Sequence, residues 1–134
     1  MTVPRVLLVD DEPMVLRVLS RALESAGYRV ETLRNGQEAL EAIRNGEPDA
    51  MVTDIEMPRM TGRELCEQLH CEMPERRFPV FVATSLTSLE HRDWSEAIPN
   101  LAFLEKPISA RKLLKVLGAH FDATAPADGT QRGS

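Results

Sequence analysis

Short apolar runs alternate with longer segments of helical period along most of the chain, and this alternation constrains the fold more than any other feature. Five of the runs are short enough to form strands: Val6–Val9, Arg29–Leu33, Ala50–Thr53, Val80–Thr84 and Leu101–Leu104. Residues 6–9 and 80–82 show no polar alternation, which is typical of strands covered on both faces of a parallel sheet. The pattern therefore favours strands buried between two layers of helices.

The segments between and after these runs predict five helices. In the first helix, apolar residues such as Val15, Leu19 and Leu23 recur at helical spacing, and Gly27 follows as the expected residue just past its end. Signals for the starts of the other four stand at Asn35–Glu38, Thr61–Glu64, Thr87–Glu90 and Ser109. Five strands alternating with five helices predict an α/β domain with a mostly parallel sheet and right-handed crossovers.

The length and composition suit one globular domain. The chain has 134 residues, of which 43% are apolar and 28% are charged. The net charge of −5 argues against nucleic acid binding, which normally needs a basic surface. No apolar run approaches the ~20 residues needed to span a bilayer, and the first residues do not resemble a secretory signal. We therefore expect a cytoplasmic protein that binds neither nucleic acid nor membranes through this domain.

Three further segments carry smaller predictions. Residues 1–121 are expected to form the domain, whereas residues 122–134 have no apolar period and predict a disordered tail or linker. Cys66 and Cys71 have neither CxxC spacing nor a shared helix face, so they are expected to be buried or half-buried free thiols. The doublet Arg76-Arg77 is expected to lie in a solvated loop.

Chemically active side chains follow four of the five predicted strands. Asp10 and Asp11 come after the first strand, Asp54 comes after the third, Thr84 ends the fourth, and Lys106 comes after the fifth. In open parallel sheets, ligands bind outside the carboxyl ends of the strands. Carboxylates, a hydroxyl and an ammonium are thus expected to meet on one edge of the sheet.

Three carboxylates at one edge require a counter-charge. Two unit charges ~4 Å apart repel by about 4 kcal/mol at an effective dielectric constant of ~20. A hard divalent cation suits these ligands, because Mg²⁺ prefers a few carboxylates together with water and phosphate oxygens. The histidines and cysteines that zinc favours are missing from this set. The residues therefore predict a Mg²⁺ site with open positions, for which a phosphate is the natural further ligand.

Four pieces of sequence together carry a family resemblance: VLLVDDEP at residues 6–13, DIEMPRMTG at 54–62, Thr84, and FLEKP at 103–107. In order and approximate spacing they resemble the receiver domain of bacterial response regulators, including the chemotaxis regulators. The resemblance covers about residues 5–121. It implies a flavodoxin-like, doubly wound (βα)5 fold with a five-stranded parallel sheet in the order 2-1-3-4-5.

The resemblance also implies the chemistry of a two-component system. Asp54 would be the phospho-acceptor, taking a phosphoryl group from a sensor histidine kinase or a phosphotransfer protein. Mg²⁺ would be bound by Asp10, Asp11, Asp54 and the backbone carbonyl of Glu56. Such a domain is a switch that catalyses only its own phosphorylation and dephosphorylation, and it is not an enzyme acting on an external substrate.

The remaining family positions imply how the switch would work. Lys106 would contact one phosphoryl oxygen, the Thr84 hydroxyl would bind another, and Lys106–Pro107 would be a cis peptide bond. Movement of Thr84 would let Phe103 turn inward and change the surface formed by the fourth helix, fifth strand and fifth helix. A downstream effector of unknown type would read that surface, which is also where a homodimer could form. Phe103 on a short strand is equally consistent with a simple core aromatic.

Two alternatives stay open on the residues alone. A Mg²⁺-dependent phosphohydrolase commonly places a second aspartate two residues after its nucleophile, and here Glu56 stands two after Asp54. A degenerate receiver would act as an unphosphorylated protein-binding module, although all five site residues, Asp10, Asp11, Asp54, Thr84 and Lys106, are present. The cognate kinase, the pathway and the effector are not encoded in any motif of the chain.

Overall fold

The computed structural model describes residues 3–85 and 93–123 of the chain. Strands and helices alternate along it. In chain order they are β1 (Arg5–Val9), α1 (Pro13–Ser25), β2 (Arg29–Leu33), α2 (Gly36–Asn45), β3 (Ala50–Asp54), α3 (Gly62–Glu72), β4 (Val80–Thr84), a 3₁₀ helix (Asp93–Ala97), β5 (Leu101–Glu105) and α4 (Ala110–Ala123). The five strands match the predicted runs to within one residue at each end.

All five strands pair in parallel in one sheet with the order β2-β1-β3-β4-β5. The order reverses direction at β1, so the connections cover both faces of the sheet. This confirms the predicted doubly wound, flavodoxin-like arrangement. At the carboxyl edge, Asp54 of β3 lies opposite Ala83 of β4, and Thr84 lies opposite Glu105 of β5.

The core consists of two apolar layers, one on each face of the sheet. The layer under α2 and α3 contains Leu7 and Val9 of β1, whereas the layer under α1 and α4 contains Val6 and Leu8. Successive residues of a strand point to opposite faces, and here both faces are covered. This explains why β1, β3 and β4 are almost wholly apolar and buried, with no polar alternation.

Local capping explains where the helices begin and end. Thr61 forms a capping box with Glu64 at the start of α3, and the Asn35 side chain accepts the Glu38 N–H at the start of α2. The Ser109 hydroxyl accepts the Lys112 N–H at the start of α4. Gly27 follows α1 with φ of +101°, a left-handed conformation that glycine adopts without a Cβ clash. These start and stop signals were all readable in the sequence.

Two of the predictions fall outside the described residues, at least in part. The predicted start of the fourth helix at Thr87 lies among residues 86–92, and the 3₁₀ helix Asp93–Ala97 follows that gap. Residues 124–134 of the predicted tail also lie outside, while α4 itself extends to Ala123. Within the described ranges, no helix combines the length and apolar character that crossing a bilayer requires.

The arginine doublet differs in part from the predicted solvated loop. Arg77 is exposed as predicted, but Arg76 is only 8% exposed. Its guanidinium donates to the carbonyl oxygens of Phe78 at 2.5 Å, Pro99 at 2.5 Å and Asn100 at 3.1 Å. The prediction of a solvated loop was wrong for Arg76, because three backbone carbonyls from two separate loops replace the water around the charge.

The two cysteines occupy different environments on α3. Cys66 is a buried free thiol, as expected, and its burial raises the pKa of that thiol to about 12. Cys71 is also free but exposed, so the expectation of burial was wrong for it. The five-residue spacing rotates the second thiol away from the face that packs on the sheet.

Candidate functional site

Asp54 is the last residue of β3 and is only 6% exposed. One of its carboxylate oxygens, Oδ1, accepts the Ile55 N–H at 2.8 Å and lies 2.5 Å from Nζ of Lys106. The lysine reaches it from the segment directly after β5, two strands away in the sheet. The carboxylate is therefore held in place by a backbone donor and an ammonium.

Asp10 and Asp11 lie beside Asp54, where β1 gives way to α1. Each of the three residues offers a carboxylate oxygen, and these oxygens all lie within 4.8 Å of one another. Asp10 is buried, and its Oδ1 accepts the Glu12 N–H at 2.9 Å, which fixes the carboxylate at the mouth of the site. A set of three carboxylates at this spacing fits a hard divalent cation and offers no nitrogen or sulfur ligand.

The charges in this cluster influence each other's protonation. Burial, together with the nearby charges of Asp54 and Asp11, raises the pKa of Asp10 to about 6. Burial alone would lower the pKa of Lys106, but its hydrogen bond to Asp54 and the charges of Asp54, Asp10 and Glu56 outweigh it and raise that pKa. The site thus holds excess negative charge, which a cation would relieve.

Thr84 ends β4 and is fully buried. Its carbonyl oxygen accepts the Lys106 N–H at 2.8 Å, so the threonine and the lysine share a backbone contact. Its hydroxyl makes a long hydrogen bond of 3.4 Å to the carbonyl of Ser85. The Lys106–Pro107 peptide bond that follows is cis, as the family resemblance implies.

Gly62, the first residue of α3, packs against the backbone of Asp54 and Ile55. Its N–H donates to the Ile55 carbonyl at 2.8 Å. A Cβ built on Gly62 would lie 2.3 Å from the Asp54 carbonyl oxygen and 2.7 Å from the Ile55 Cα. Only glycine lets the helix approach the Asp54 backbone this closely, which gives a physical reason for the glycine eight residues after the aspartate.

A cavity of about 390 Å³ opens beside Asp54 and Lys106, with mostly apolar walls from Val15, Leu19 and Ile108. The sequence did not predict it. A cavity of this kind depends on how side chains from α1 and the segment before α4 fail to fill the space between them. No motif or periodicity reports that shape.

The side chains of the last two predicted positions, Glu56 and Phe103, are not among the clustered carboxylates. Glu56 is exposed in the loop after β3, and its negative charge contributes to the raised pKa of Lys106. Phe103 lies half-buried on β5, where its ring packs against Trp94. The structure therefore brings together Asp10, Asp11, Asp54 and Lys106. The Thr84 carbonyl is hydrogen-bonded to the Lys106 backbone, and the Phe103 ring contacts Trp94.

Comparisons with known proteins agree with this geometry. The sequence profile of the response regulator receiver domain matches residues 6–118. Response regulator MprA from Mycobacterium sp. (strain KMS) is 37% identical over 125 residues, which are 93% of this chain and 54% of that protein. The same regulator from Mycobacterium bovis (strain BCG / Pasteur 1173P2) is 35% identical over 127 residues. The chain thus spans about half the length of these curated relatives, at 54%.

Solved structures give the same answer for the fold. The chemotaxis response regulator CheY4 of Vibrio cholerae superposes with a TM-score of 0.80 at 33% identity, covering 88% of this chain and 98% of that one. A CheY-like receiver domain protein from Methanospirillum hungatei JF-1 also gives 0.80, at 32% identity over 91% of this chain and 96% of that one. The doubly wound sheet with an acidic carboxyl edge defines a CheY-like domain.

The chain belongs to the response regulator receiver domain family. Such domains act as switches in two-component signalling and interact with histidine kinases or phosphotransfer proteins. The family assignment from the sequence motifs is confirmed.

Proposed function

We propose that Asp54 accepts a phosphoryl group from a phosphohistidine in a Mg²⁺-dependent reaction, and that this changes the surface near β5 and α4. The observation that carries the proposal is the contact between Lys106 and Asp54 beside a cluster of three carboxylates. A buried carboxylate with a cation at its oxygen and further acids beside it is poised for transfer of an anionic group.

Asp10, Asp11, Asp54 and the Glu56 carbonyl would hold the metal. Bound Mg²⁺ would neutralise charge on the transferring phosphoryl oxygens. The fit rests on the donor set, which consists of carboxylates whose oxygens lie within 4.8 Å of one another. The raised pKa of Asp10 agrees with this assignment: burial is its main cause, and the negative charges of Asp54 and Asp11, which a bound cation would offset, add to it.

In the transfer itself, an Asp54 carboxylate oxygen attacks phosphorus as the bond to the donor nitrogen breaks. The product is an acyl phosphate on Asp54, and the imidazole leaves with the electron pair of the broken P–N bond and takes up a proton from water. Lys106 moves from the Asp54 oxygen to a phosphoryl oxygen, which a point charge on a flexible stem can do at small cost. Thr84 gives up its long hydrogen bond of 3.4 Å to Ser85 and donates its hydroxyl proton to another phosphoryl oxygen.

The same proposal assigns the remaining roles. Movement of Thr84 opens space that Phe103 fills, and the surface of the predicted fourth helix, β5 and α4 then binds an effector or a second copy of the chain. Residues 1–121 form this module in the cytoplasm, and residues 122–134 form a tail or linker. The low apolar content of that tail supports its role as a linker.

Intact mass spectrometry tests the phospho-acceptor directly. The protein is incubated with Mg²⁺ and acetyl phosphate, and its mass is measured before and after hydroxylamine, which cleaves acyl phosphates. We expect one labile phosphoryl adduct on the wild-type protein and none on Asp54→Asn or in EDTA. The matched control is Asp122→Asn, at the exposed end of α4, which should still be phosphorylated.

Two results would overturn the proposal. An adduct that persists in Asp54→Asn would place the phosphoryl group elsewhere. No adduct on the wild-type protein would favour an unphosphorylated protein-binding module.

A further inference from the structure

Three side chains form a continuous stack between α3 and β5. The Trp94 ring, in the 3₁₀ helix, packs edge-on against Phe103, with ring centroids 5.8 Å apart and planes at 81°. The Arg63 guanidinium carbon lies 5.9 Å from the centroid of the Trp94 ring. Arg63 is itself oriented by Glu67, with a distance of 3.1 Å between its Nε and the carboxylate. We refer to these contacts as the Arg63–Trp94–Phe103 stack.

Both ends of the stack are attached to residues that hold the phospho-acceptor. Arg63 directly follows Gly62, which packs so closely on the Asp54 backbone that a Cβ there would lie 2.3 Å from the Asp54 carbonyl oxygen. At the other end, Phe103 precedes Lys106 by three residues, and Lys106 reaches back to Asp54 at 2.5 Å. The contacts therefore close a ring that leads from Asp54 through the stack and back to Asp54.

The position of the Trp94 ring depends on both Arg63 and Phe103, because it contacts each of them. Edge-to-face aromatic contacts and cation–π contacts weaken quickly as the groups move apart. A shift of Lys106 toward a phosphoryl group would act on Phe103 through the short strand β5. A shift of the Asp54 backbone would act on Arg63 through the first turn of α3. Trp94 is the one side chain in this stack that contacts both Phe103 and Arg63.

We propose that Trp94 is a positioning residue for the switch, which holds Phe103 in its unphosphorylated position and is itself held by Arg63. We call the restraint that Trp94 places on Phe103 the latch. This proposal rests on the proposed function, since the latch acts on the same phosphorylation site. Phosphorylation of Asp54 weakens the stack, and by thermodynamic reciprocity weakening the stack stabilises the phosphorylated conformation. Arg63 strengthens the latch without entering the apolar core.

The rate of phosphorylation by acetyl phosphate tests the latch. Arg63→Gln removes the cation from an exposed position, and Trp94→Ala removes the ring. We expect both variants to be phosphorylated faster than wild type, by about two- to tenfold, because loss of the latch raises the population of the conformation that accepts the phosphoryl group. Trp94→Phe should stay close to wild type because it keeps an aromatic ring against Phe103. A purely structural role for Trp94 would instead leave the rate unchanged or lower it.

Fluorescence gives a second and independent readout. The chain has one tryptophan, so its emission reports on the Trp94 ring alone. We expect acetyl phosphate with Mg²⁺ to shift the emission of the wild-type protein and to leave that of Asp54→Asn unchanged. Without any donor, Arg63→Gln should already show part of the shift. The matched control is Arg21→Gln, an exposed arginine on α1, which should behave as wild type in both measurements.

The outcomes separate the latch from the function on which it rests. Full phosphorylation by mass with no change in Trp94 emission would overturn the latch and leave Asp54 as the phospho-acceptor. Slower phosphorylation of Arg63→Gln, with its melting temperature unchanged, would also overturn the latch. A wild-type protein that forms no adduct would overturn both proposals.

Discussion

Nζ of Lys106 lies 2.5 Å from Oδ1 of Asp54, although Asp54 ends β3, Lys106 follows β5, and β4 lies between these two strands. The pair joins a lysine whose side chain is 37% exposed to a carboxylate that is only 5% exposed. In this state the lysine lies against the carboxylate that the proposed mechanism makes the acceptor. Under the proposed mechanism Lys106 changes partner from Asp54 to the phosphoryl group. We therefore expect its charge to stabilise the transition state more than the ground state.

Replacing Lys106 with methionine should slow phosphorylation by at least about tenfold, because one fixed positive charge at the transferring group is lost. The Mg²⁺ affinity should change little or increase, since the carboxylates remain and a competing cation is gone. The rate of adduct formation by intact mass, alongside calorimetric Mg²⁺ titration, measures both effects. Lys115→Met on the exposed side of α4 is the control. An unchanged phosphorylation rate in Lys106→Met would contradict the role assigned to Lys106.

Mg²⁺ binding should weaken as the pH falls through the pKa of Asp10, which is raised to about 6 mainly by burial. The metal binds the carboxylate form, so protons compete with it, and the apparent affinity should drop by about tenfold for each pH unit below that pKa. Calorimetric titration from about pH 8 down to about pH 5 measures this dependence. Asp10→Asn should bind Mg²⁺ weakly at every pH and show a flatter profile. A wild-type Mg²⁺ affinity that stays constant over this pH range would show that protonation of Asp10 does not compete with metal binding.

The same pKa shift predicts how stability depends on pH when EDTA keeps the metal away. The folded state holds the Asp10 proton up to its raised pKa of about 6, whereas the unfolded chain releases it near the ordinary aspartate pKa of 3.8. The free energy of unfolding should therefore fall as the pH rises between these values, by about 1 to 2 kcal/mol once residual solvent exposure is allowed for. Urea unfolding across this pH range measures it. Mg²⁺ should remove most of the loss in wild type, and Asp10→Asn should show little loss at all.

Much of the fold and of the site was predictable because it depends on local signals. Periodicity located the strands, and short capping sequences such as Thr61–Glu64 marked helix starts. The sequence also predicted that Asp10, Asp54 and Lys106 lie close together, since the carboxyl ends of parallel strands all lie on the same side of the sheet.

The features that were not predictable depend on packing between distant segments. Arg76 is buried because carbonyls from residues 78, 99 and 100 converge on it, and no sequence pattern reports that convergence. The contact between Trp94 and Phe103 and the cavity beside Lys106 arise in the same way, from side chains that meet only in three dimensions. For Arg76, the presence of a second arginine beside it led to the wrong prediction that its side chain is solvated.

Gly62→Ala should impair both stability and phosphorylation. The new methyl group would lie 2.3 Å from the Asp54 carbonyl oxygen, a backbone atom, so α3 or the end of β3 must shift. We expect a loss of about 1 to 3 kcal/mol in the free energy of unfolding and slower adduct formation. Gly118→Ala in α4 is a matched control, since its Cβ would meet nothing within 4 Å. That variant should be unchanged or more stable by up to about 1 kcal/mol, as alanine favours a helix.

A Gly62→Ala protein with wild-type stability and rate would show that the close approach of α3 does not position Asp54. If stability alone falls, the glycine supports the fold but not the acceptor.

Arg76→Met should lower stability without slowing phosphorylation. The substitution keeps an unbranched apolar side chain but removes the guanidinium that donates to the carbonyls of Phe78, Pro99 and Asn100. The Asn100 carbonyl keeps the Val80 N–H as a donor, whereas the Phe78 carbonyl, in a buried residue, loses its donor. We expect the variant to lose about 1 to 3 kcal/mol in the free energy of unfolding. The loss is limited because burial of the guanidinium, which lowers its pKa, is itself unfavourable. Urea unfolding gives the loss. The exposed neighbour serves as the control, and Arg77→Met should stay within about 0.5 kcal/mol of wild type. Equal stability of the two variants would mean that water replaces the Arg76 donors, and that the guanidinium is not what joins the loop after α3 to the loop before β5.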